Sequence, residues 1–398
     1  MKKLCLLFFI ISVCFLLSGC WDRKELSEVQ LVSGMAVDLG DNAKYKVTIE
    51  ALNAVELTSQ TSQGNAPSIV EGIEGDSISE ITHQFNQYLA QTPIYSHMKL
   101  LVISEDVAKL GLMEFIDYLE RNRELRDDFK IIIVRDQKAE DVLKITYPFK
   151  KASSLKISPQ IDNILSEWGG DPNVRINDFI SDLTLEGKEP VLETVKIKGD
   201  SKKGGSMDNL TKVTPDSVVE LDSLAVFKNQ KLQGFLPLED IRSYLLINNY
   251  LKQTTVTVNC NSKDNEYSSV RVTQTNTDVQ VKWKEGRPVI RVNIKAEGYL
   301  EATQCYKSIT NIKTYFLYEK LVNKTVSKQV EKTIKKVQEE YQSDIFGFGE
   351  MMRRQDYDQF IKVKADWNEH FAEAKVDVNC EITLRRSGIR TKSFLSDT

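Results

Sequence analysis

Histidine is scarce in this chain. His83, His97 and His370 are the three present, and no two stand at i, i+4, which excludes a metalloprotease-type zinc helix. A Gly-x-Ser-x-Gly elbow, a phosphate loop and a Gly-x-Gly-x-x-Gly turn are all missing; Gly347-Phe348-Gly349 lacks the third glycine. Carboxylates are plentiful, but no linear pattern picks out a catalytic pair. The expectation is a protein that is not an enzyme and needs no cofactor or metal. A basic excess is missing too: 53 Lys and Arg stand against 57 Asp and Glu, no electrostatic footprint for nucleic acid. Proline and glycine are few, 9 and 19 among 398 residues, and the chain has room for two or three domains.

Long apolar runs are absent after the first seventeen residues. Leu4 to Leu17 is almost wholly apolar, follows Lys2 and Lys3, and is too short to span a bilayer comfortably. It ends in Leu17-Ser18-Gly19-Cys20, a lipobox: small residues admit a peptidase to the bond before Cys20, and the thiol accepts diacylglycerol. An uncleaved anchor with an incidental cysteine is the plainer alternative, but n-region, apolar run, box and polar exit all agree on a lipoprotein. A diacylglyceryl Cys20, further N-acylated, supplies the two chains that stable anchoring takes, at about 0.8 kcal/mol per buried CH₂. Trp21 is then placed at headgroup level. Loss of Lys2 and Lys3 with residues 1–19 leaves 51 basic against 57 acidic residues, a net charge of −6.

Cysteine is sparse. Cys5 and Cys14 leave with the signal, Cys20 is acylated, and Cys260, Cys305 and Cys380 remain, an odd number without zinc spacing. Alternation puts Cys260 and Cys380 on the apolar faces of strands, so buried free thiols are favoured over a disulfide.

Along the body, strands are read at Leu31–Val37 and Tyr45–Ala51, a polar loop at Thr58–Glu71, and a helix at Ile78–Ala90 with Ile78, Ile81, Phe85, Tyr88 and Leu89 on one face. Buried strands follow at Met98–Ile103 and Phe129–Val134. Helices are read at Glu105–Leu110, around Leu112–Leu119, at Ile161–Glu167 and at Ile176–Leu185, and a strand at Val191–Ile197. Helix-strand alternation makes 20–198 an α/β domain. Gly199 to Thr211, rich in Gly and Lys, reads as an exposed linker (199–215) between two independently folding units. Residues 216–305 read as an antiparallel-sheet domain: a hairpin over Asn229-Gln230, a helix at Asp240–Ile247, then strands Thr254–Cys260, Tyr267–Thr275, Asp278–Lys284 and Val289–Tyr299. In 306–398, Val322, Val326, Val330, Ile334, Val337 and Tyr341 form the stripe of a long amphipathic helix packed on a sheet. Phe360, Val363, Trp367 and Phe371 align on a second helix, and Ala374–Arg386 is a closing strand. The fold class is α+β.

Four stretches then carry a resemblance. Gly19-Cys20-Trp21-Asp22 spans the start of the mature chain. His97-Met98-Lys99-Leu100 leads into Glu105 and Ala108. Ala225-Val226-Phe227-Lys228 precedes Gly234-Phe235-Leu236. Ser343-Asp344-Ile345-Phe346-Gly347-Phe348-Gly349-Glu350 is followed by Asp366-Trp367, Phe371 and Arg385-Arg386-Ser387-Gly388. In this order they resemble the Ger(x)C lipoproteins, the C subunits of bacterial spore germinant receptors. Phe235 departs from the usual Trp, and Ser387 lies where Thr or Ile is unremarkable. The resemblance implies three α+β domains in series and a lipid-anchored subunit on the non-cytoplasmic face of the spore inner membrane. It also implies membrane-embedded A and B subunits as partners and a part in triggering germination when nutrients bind. A solute-binding lipoprotein that feeds a transporter is the alternative. His97 reads as a hydrogen-bonded structural histidine at the start of a buried strand rather than a ligand-binding one. Ser343–Glu350 reads as a buried corner between two helices rather than a docking surface: Asp344 accepts backbone N–H groups, Gly347 and Gly349 turn the chain, and Phe346 and Phe348 point inward.

Overall fold

The structure is a computed structural model and describes residues 25–58, 60, 62–260, 266–305 and 311–386. Cys20, Trp21, Asp22, Ser387 and Gly388 lie outside the described residues.

The most apolar segments form the middle of the larger sheet. Strands β1 (Val29–Leu39), β5 (Leu100–Ser104), β6 (Lys130–Val134) and β7 (Val191–Gly199) run parallel and adjacent. β5 and β6 are buried along their whole length, as the run of three isoleucines requires of strands covered on both faces. Leu101, Ile103, Ile131 and Ile133 join one core with Ile81, Phe115 and Phe179, while Leu100, Val102, Ile132 and Val134 join another with Val142, Ile157 and Ile161. Helices Ile78–Gln84, Met113–Arg121 and Ile176–Thr184 thus cover one face, and Ala139–Lys144 and Ser153–Glu167 the other. Antiparallel strands complete the sheet: β2 (Tyr45–Leu52) and β3 (Ser68–Gly75) on one side, β8 (Ser217–Lys228) and β9 (Lys231–Pro237) on the other. Short β4 (Thr92–Ile94) pairs with the start of β1.

Two buried carboxylates fix the helices of the second face. Glu50 of β2 accepts from Ser153 N (2.8 Å) and Ser154 N (3.0 Å) at the start of Ser153–Glu167. Asp38 of β1 accepts from Ala139 N (2.7 Å) and Glu140 N (2.9 Å). Each satisfies helix N–H groups that have no intrahelical partner.

The smaller sheet has the order β10 (Gln253–Asn259), β11 (Tyr267–Lys284), β12 (Arg287–Thr303), β13 (Lys375–Arg386); β12 and β13 are parallel and the other pairs antiparallel. Helix Ile312–Lys336 lies on it, with Val322, Val326, Val330 and Ile334 buried as the stripe requires; in the turn that follows, Val337 is buried and Tyr341 half-buried. Its Asn323 and Glu319 accept from Ile382 N (2.7 Å) and Leu384 N (2.8 Å), closing part of the free edge of β13. The α+β class, the antiparallel strands and the long helix on a sheet are as expected.

Several expectations are corrected. Gly199–Thr211 is not a linker between separate units. β7 and β8 pair on either side of it, Gly199 opposite Ser217, so the segment is a connection within one sheet. Asn209 is fully buried there and bonds Thr146 O and Ser217 O, which a polar composition conceals. β8 and β9 therefore belong with residues 20–198, and the strands of 216–305 beyond them share a sheet with β13 of 306–398. Part of Thr58–Glu71 is strand, since β3 begins at Ser68; its one-sided exposure as an edge strand explains the polarity. The helix from Ile78 ends at Gln84, with a 3₁₀ turn to Gln87, because the chain must extend to pair β4 with β1; Tyr88 is exposed. The helix read at Ile161 begins at Ser153, where Glu50 receives it. Tyr267–Thr275 and Asp278–Lys284 are one strand with an irregularity between Thr273 and Asn276. Residues Tyr357–Ala372 are two helices joined by a 3₁₀ turn. Cys260 and Cys305 form a disulfide, and Cys380 alone of the three is a free buried thiol. Their Cα atoms are 6.4 Å apart because the ends of β10 and β12 flank β11, a proximity that sequence spacing hides.

Candidate functional site

The long helix ends in a π turn at Val337–Tyr341, and Gln342 takes a left-handed φ of 48° that breaks the helix. The chain reverses, and Asp344 enters the interior with no exposed surface. One carboxylate oxygen accepts from Phe346 N (3.1 Å) and Gly347 N (3.0 Å), the other from Gly349 N (2.8 Å) and Trp367 Nε1 (2.8 Å). Burial pushes the carboxyl up to about 6, against the lowering effect of the Trp367 indole and the backbone donors. Gly347 has a φ of 75°, where a side chain is strained. Gly349 is demanded by approach: a Cβ there meets Trp367 Nε1 at 2.4 Å and Gly187 Cα at 2.7 Å.

The same corner fastens the two sheets together. Glu189 N, before β7, donates to Asp344 O at 2.8 Å, and Glu350 N donates to Gly187 O at 3.1 Å. Ser343 Oγ donates to Phe227 O at the end of β8 (2.6 Å), and Tyr341 Oη to Phe235 O in β9 (2.9 Å). Gly234 leaves room for the Tyr341 ring, since a Cβ there meets its Cε1 at 2.7 Å. Asn368 closes the circuit: it accepts from Asp344 N (3.0 Å) and donates to Glu189 (2.7 Å), whose other oxygen accepts from Asn229 N in the β8–β9 turn (2.9 Å). Beneath lies an aromatic cluster. Phe346 packs against Phe348, Tyr244 and Phe371 with ring centroids 5.3, 6.3 and 6.4 Å away, and Phe227 meets Phe179 edge-on at 5.4 Å.

Eight residues singled out from the sequence therefore converge: Phe227, Gly234, Asp344, Phe346, Gly347, Phe348, Gly349 and Trp367. His97 does not join them. It is exposed, in the turn before β5, so its reading as part of a buried strand is corrected: the strand begins three residues later. Sequence reasoning missed Gly187, Glu189 and Asn368, whose polar or small side chains carry no linear signal. It also missed Asp171 and, in β7, Glu193, buried against each other, where burial pushes both carboxyls up. This arrangement holds backbone and rings in place. The solvent side of the junction is a groove of about 580 Å³ bearing Lys188, Lys228, Lys364, Glu186 and Asp366. Among the described residues no group of three or more His, Cys, Asp or Glu is arranged to hold a metal ion, and no helix is long and apolar enough to cross a membrane.

Comparison with known proteins matches residues 22–197 to the spore germination protein N-terminal domain and residues 222–388 to the "Spore germination B3/ GerAC like, C-terminal" family. Spore germination protein KC of Bacillus subtilis (strain 168) is 29% identical over 399 residues, 98% of this chain and 97% of that one. Putative spore germination protein YfkR of the same organism is 24% identical, covering 96% of each chain, and spore germination protein A3 is 21% identical over 98% of this chain and 99% of its own. The crystal structure of the GerBC protein shares the fold, with a TM-score of 0.54 and 18% identity over 91% of this chain and 99% of that one.

Proposed function

Because the chain belongs to the spore germination GerAC family, we propose that it is the lipid-anchored C-type subunit of a nutrient-responsive germinant receptor, acting through assembly with integral A and B subunits and without catalysis. Cys20 carries diacylglycerol and an N-acyl chain, and the body stands on the non-cytoplasmic face of the spore inner membrane. The lipobox and the polar sequence that follows it support this placement.

The observation that carries the reading is where the motif residues go. Asp344, Gly349 and Trp367 are buried and bonded to one another in the corner, and the main chain of that corner bonds Gly187 and Glu189 ahead of β7 to join the two sheets. A rigid two-sheet body suits a scaffold whose outer surfaces meet partners. An enzyme or a solute trap would spend its most distinctive residues around an open cleft.

The test is deletion of the gene, with spores then challenged by a panel of nutrients. Loss of response to a defined nutrient set, restored by the intact gene and not by Cys20→Ala, is the expected result. Unchanged germination, together with tight binding of one small solute by the purified body, would instead favour the solute-binding alternative.

A further inference from the structure

The feature is a strained turn that holds an aromatic side chain in solvent. Phe149 is 86% exposed, the most exposed aromatic among the described residues. Tyr147 and Lys151 pair across the turn, and both Lys150 and Lys151 have left-handed backbones, with φ of 64° and 45°. Two successive non-glycine residues in that region are costly and persist only where the surroundings hold them. Here they are held: Lys151 Nζ donates to Glu56 O (2.5 Å) and Ser62 Oγ (2.9 Å). The Glu56 carboxylate in turn knots its own loop, accepting from Ser62 Oγ (2.9 Å), Gly64 N (3.1 Å) and Asn65 Nδ2 (2.9 Å). A tip built this firmly, with its ring pointing away from every core, is made to present that ring.

Its position says to what. The loop holding Lys151 follows β2, whose last residue, Leu52, accepts from Gln30 Nε2 near the start of β1 (2.6 Å). The chain therefore enters the fold beside this loop. Glu25 is five Cα-to-Cα steps from Cys20, which span at most roughly 17 Å, so an acylated Cys20 keeps this end of the body close to the headgroups. Two more exposed apolar side chains lie around the entry. Val55 is 51% exposed, and Tyr88 is 63% exposed near Gln91, whose Nε2 donates to Ser27 O (2.7 Å). An aromatic wedge beside an exposed lysine, here Lys150, is a composition that partitions into an anionic interface.

We propose that Phe149, with Lys150, is a second membrane contact that inserts among anionic headgroups and fixes the body's orientation on the bilayer. This rests on the lipid-anchor reading for where the membrane lies. The wedge converts a flexible tether into a two-point attachment, and the first contact raises the effective concentration for the second. The sheet junction at Asp344 is then presented at a set tilt.

The test replaces the lipid, so that acylation of Cys20 does not enter. The chain from Trp21 to Thr398, which keeps every described residue, is given an N-terminal hexahistidine tag and tethered to vesicles containing nickel-chelating lipid. The substitution Phe149→Trp puts an indole at the tip, and brominated lipids report its depth. Quenching above that of the unsubstituted chain, in phosphatidylglycerol-rich vesicles and weakened by salt or by Lys150→Gln, is the expected result. Untethered, Phe149→Ala should lower partition into the same vesicles about tenfold and Lys150→Gln about fivefold, with melting unchanged because both side chains lie outside the core. An unquenched indole, or a Phe149→Ala partition equal to that of the unsubstituted chain, overturns the proposal. So does a Phe149→Ala variant that keeps its vesicle binding and loses receptor assembly, which assigns the tip to a protein partner. Failure of acylation at Cys20 shows separately, as absence of labelled fatty acid on the full-length chain.

Discussion

Replacing Asp344 by Ala removes one carboxylate and leaves four donors facing it: the N–H groups of Phe346, Gly347 and Gly349 and the indole of Trp367. All are buried, where each unsatisfied donor costs about 1–3 kcal/mol. At about 1.5 kcal/mol each, the loss is roughly 6 kcal/mol. Part is offset, because the variant no longer buries a charge. The rise of the carboxyl from 3.8 to about 6 sets that relief at roughly 3 kcal/mol above pH 6. The expected net destabilisation is about 3 kcal/mol at pH 7.5. Since the folded carboxyl titrates above the unfolded one, its stabilising contribution is fully present below about 3.8 and is lost as pH rises through about 6. At pH 4.5 the unsubstituted protein regains roughly 2 kcal/mol of that contribution, so the difference between the two proteins widens to about 5 kcal/mol. Urea unfolding at the two pH values, followed by circular dichroism and tryptophan emission, measures both numbers. A variant within about 0.5 kcal/mol of the parent at both, the range of ordinary surface substitutions, would refute the view of Asp344 as the acceptor that holds the corner.

Gly349→Ala sets a methyl against Trp367 Nε1 at 2.4 Å and Gly187 Cα at 2.7 Å, neither a flexible chain end; a loss of about 3 kcal/mol is expected, read as a lower melting temperature. Cys305→Ser opens the bridge to Cys260, 45 residues away. Chain entropy puts the cost at about 4 kcal/mol, and reduction of the parent should lower its melting temperature to that of the variant. A parent insensitive to reductant would remove the disulfide from the description.

The elements legible in the sequence were those whose signal is local. Val322, Val326, Val330, Ile334 and Val337 are spaced for one helix face, and the helix must end before Gly347 and Gly349; both hold. The capping role of Asp344 was also local, because its backbone donors lie within five residues. What stayed hidden depends on distant partners. Glu50 and Asp38 cap helices more than a hundred residues away, so nothing nearby marks where those helices start. Gly199–Thr211 has the composition of a linker, and only the pairing of β7 with β8 and the buried Asn209 show that it is packed. The junction's other half, Gly187 and Glu189, is invisible because its content is main-chain approach and main-chain hydrogen bonding. Cys260 read as a free thiol since alternation tells which face of β10 a side chain occupies and not which neighbour it meets there.

The most direct test of the receptor reading is purification from spore membranes by a tag on the C-terminus of this chain, followed by identification of what comes with it. Recovery of two integral membrane proteins in fixed proportion to the chain, lost with Cys20→Ala, is the predicted result. Recovery of the chain alone, carrying a tightly held small solute, would contradict it.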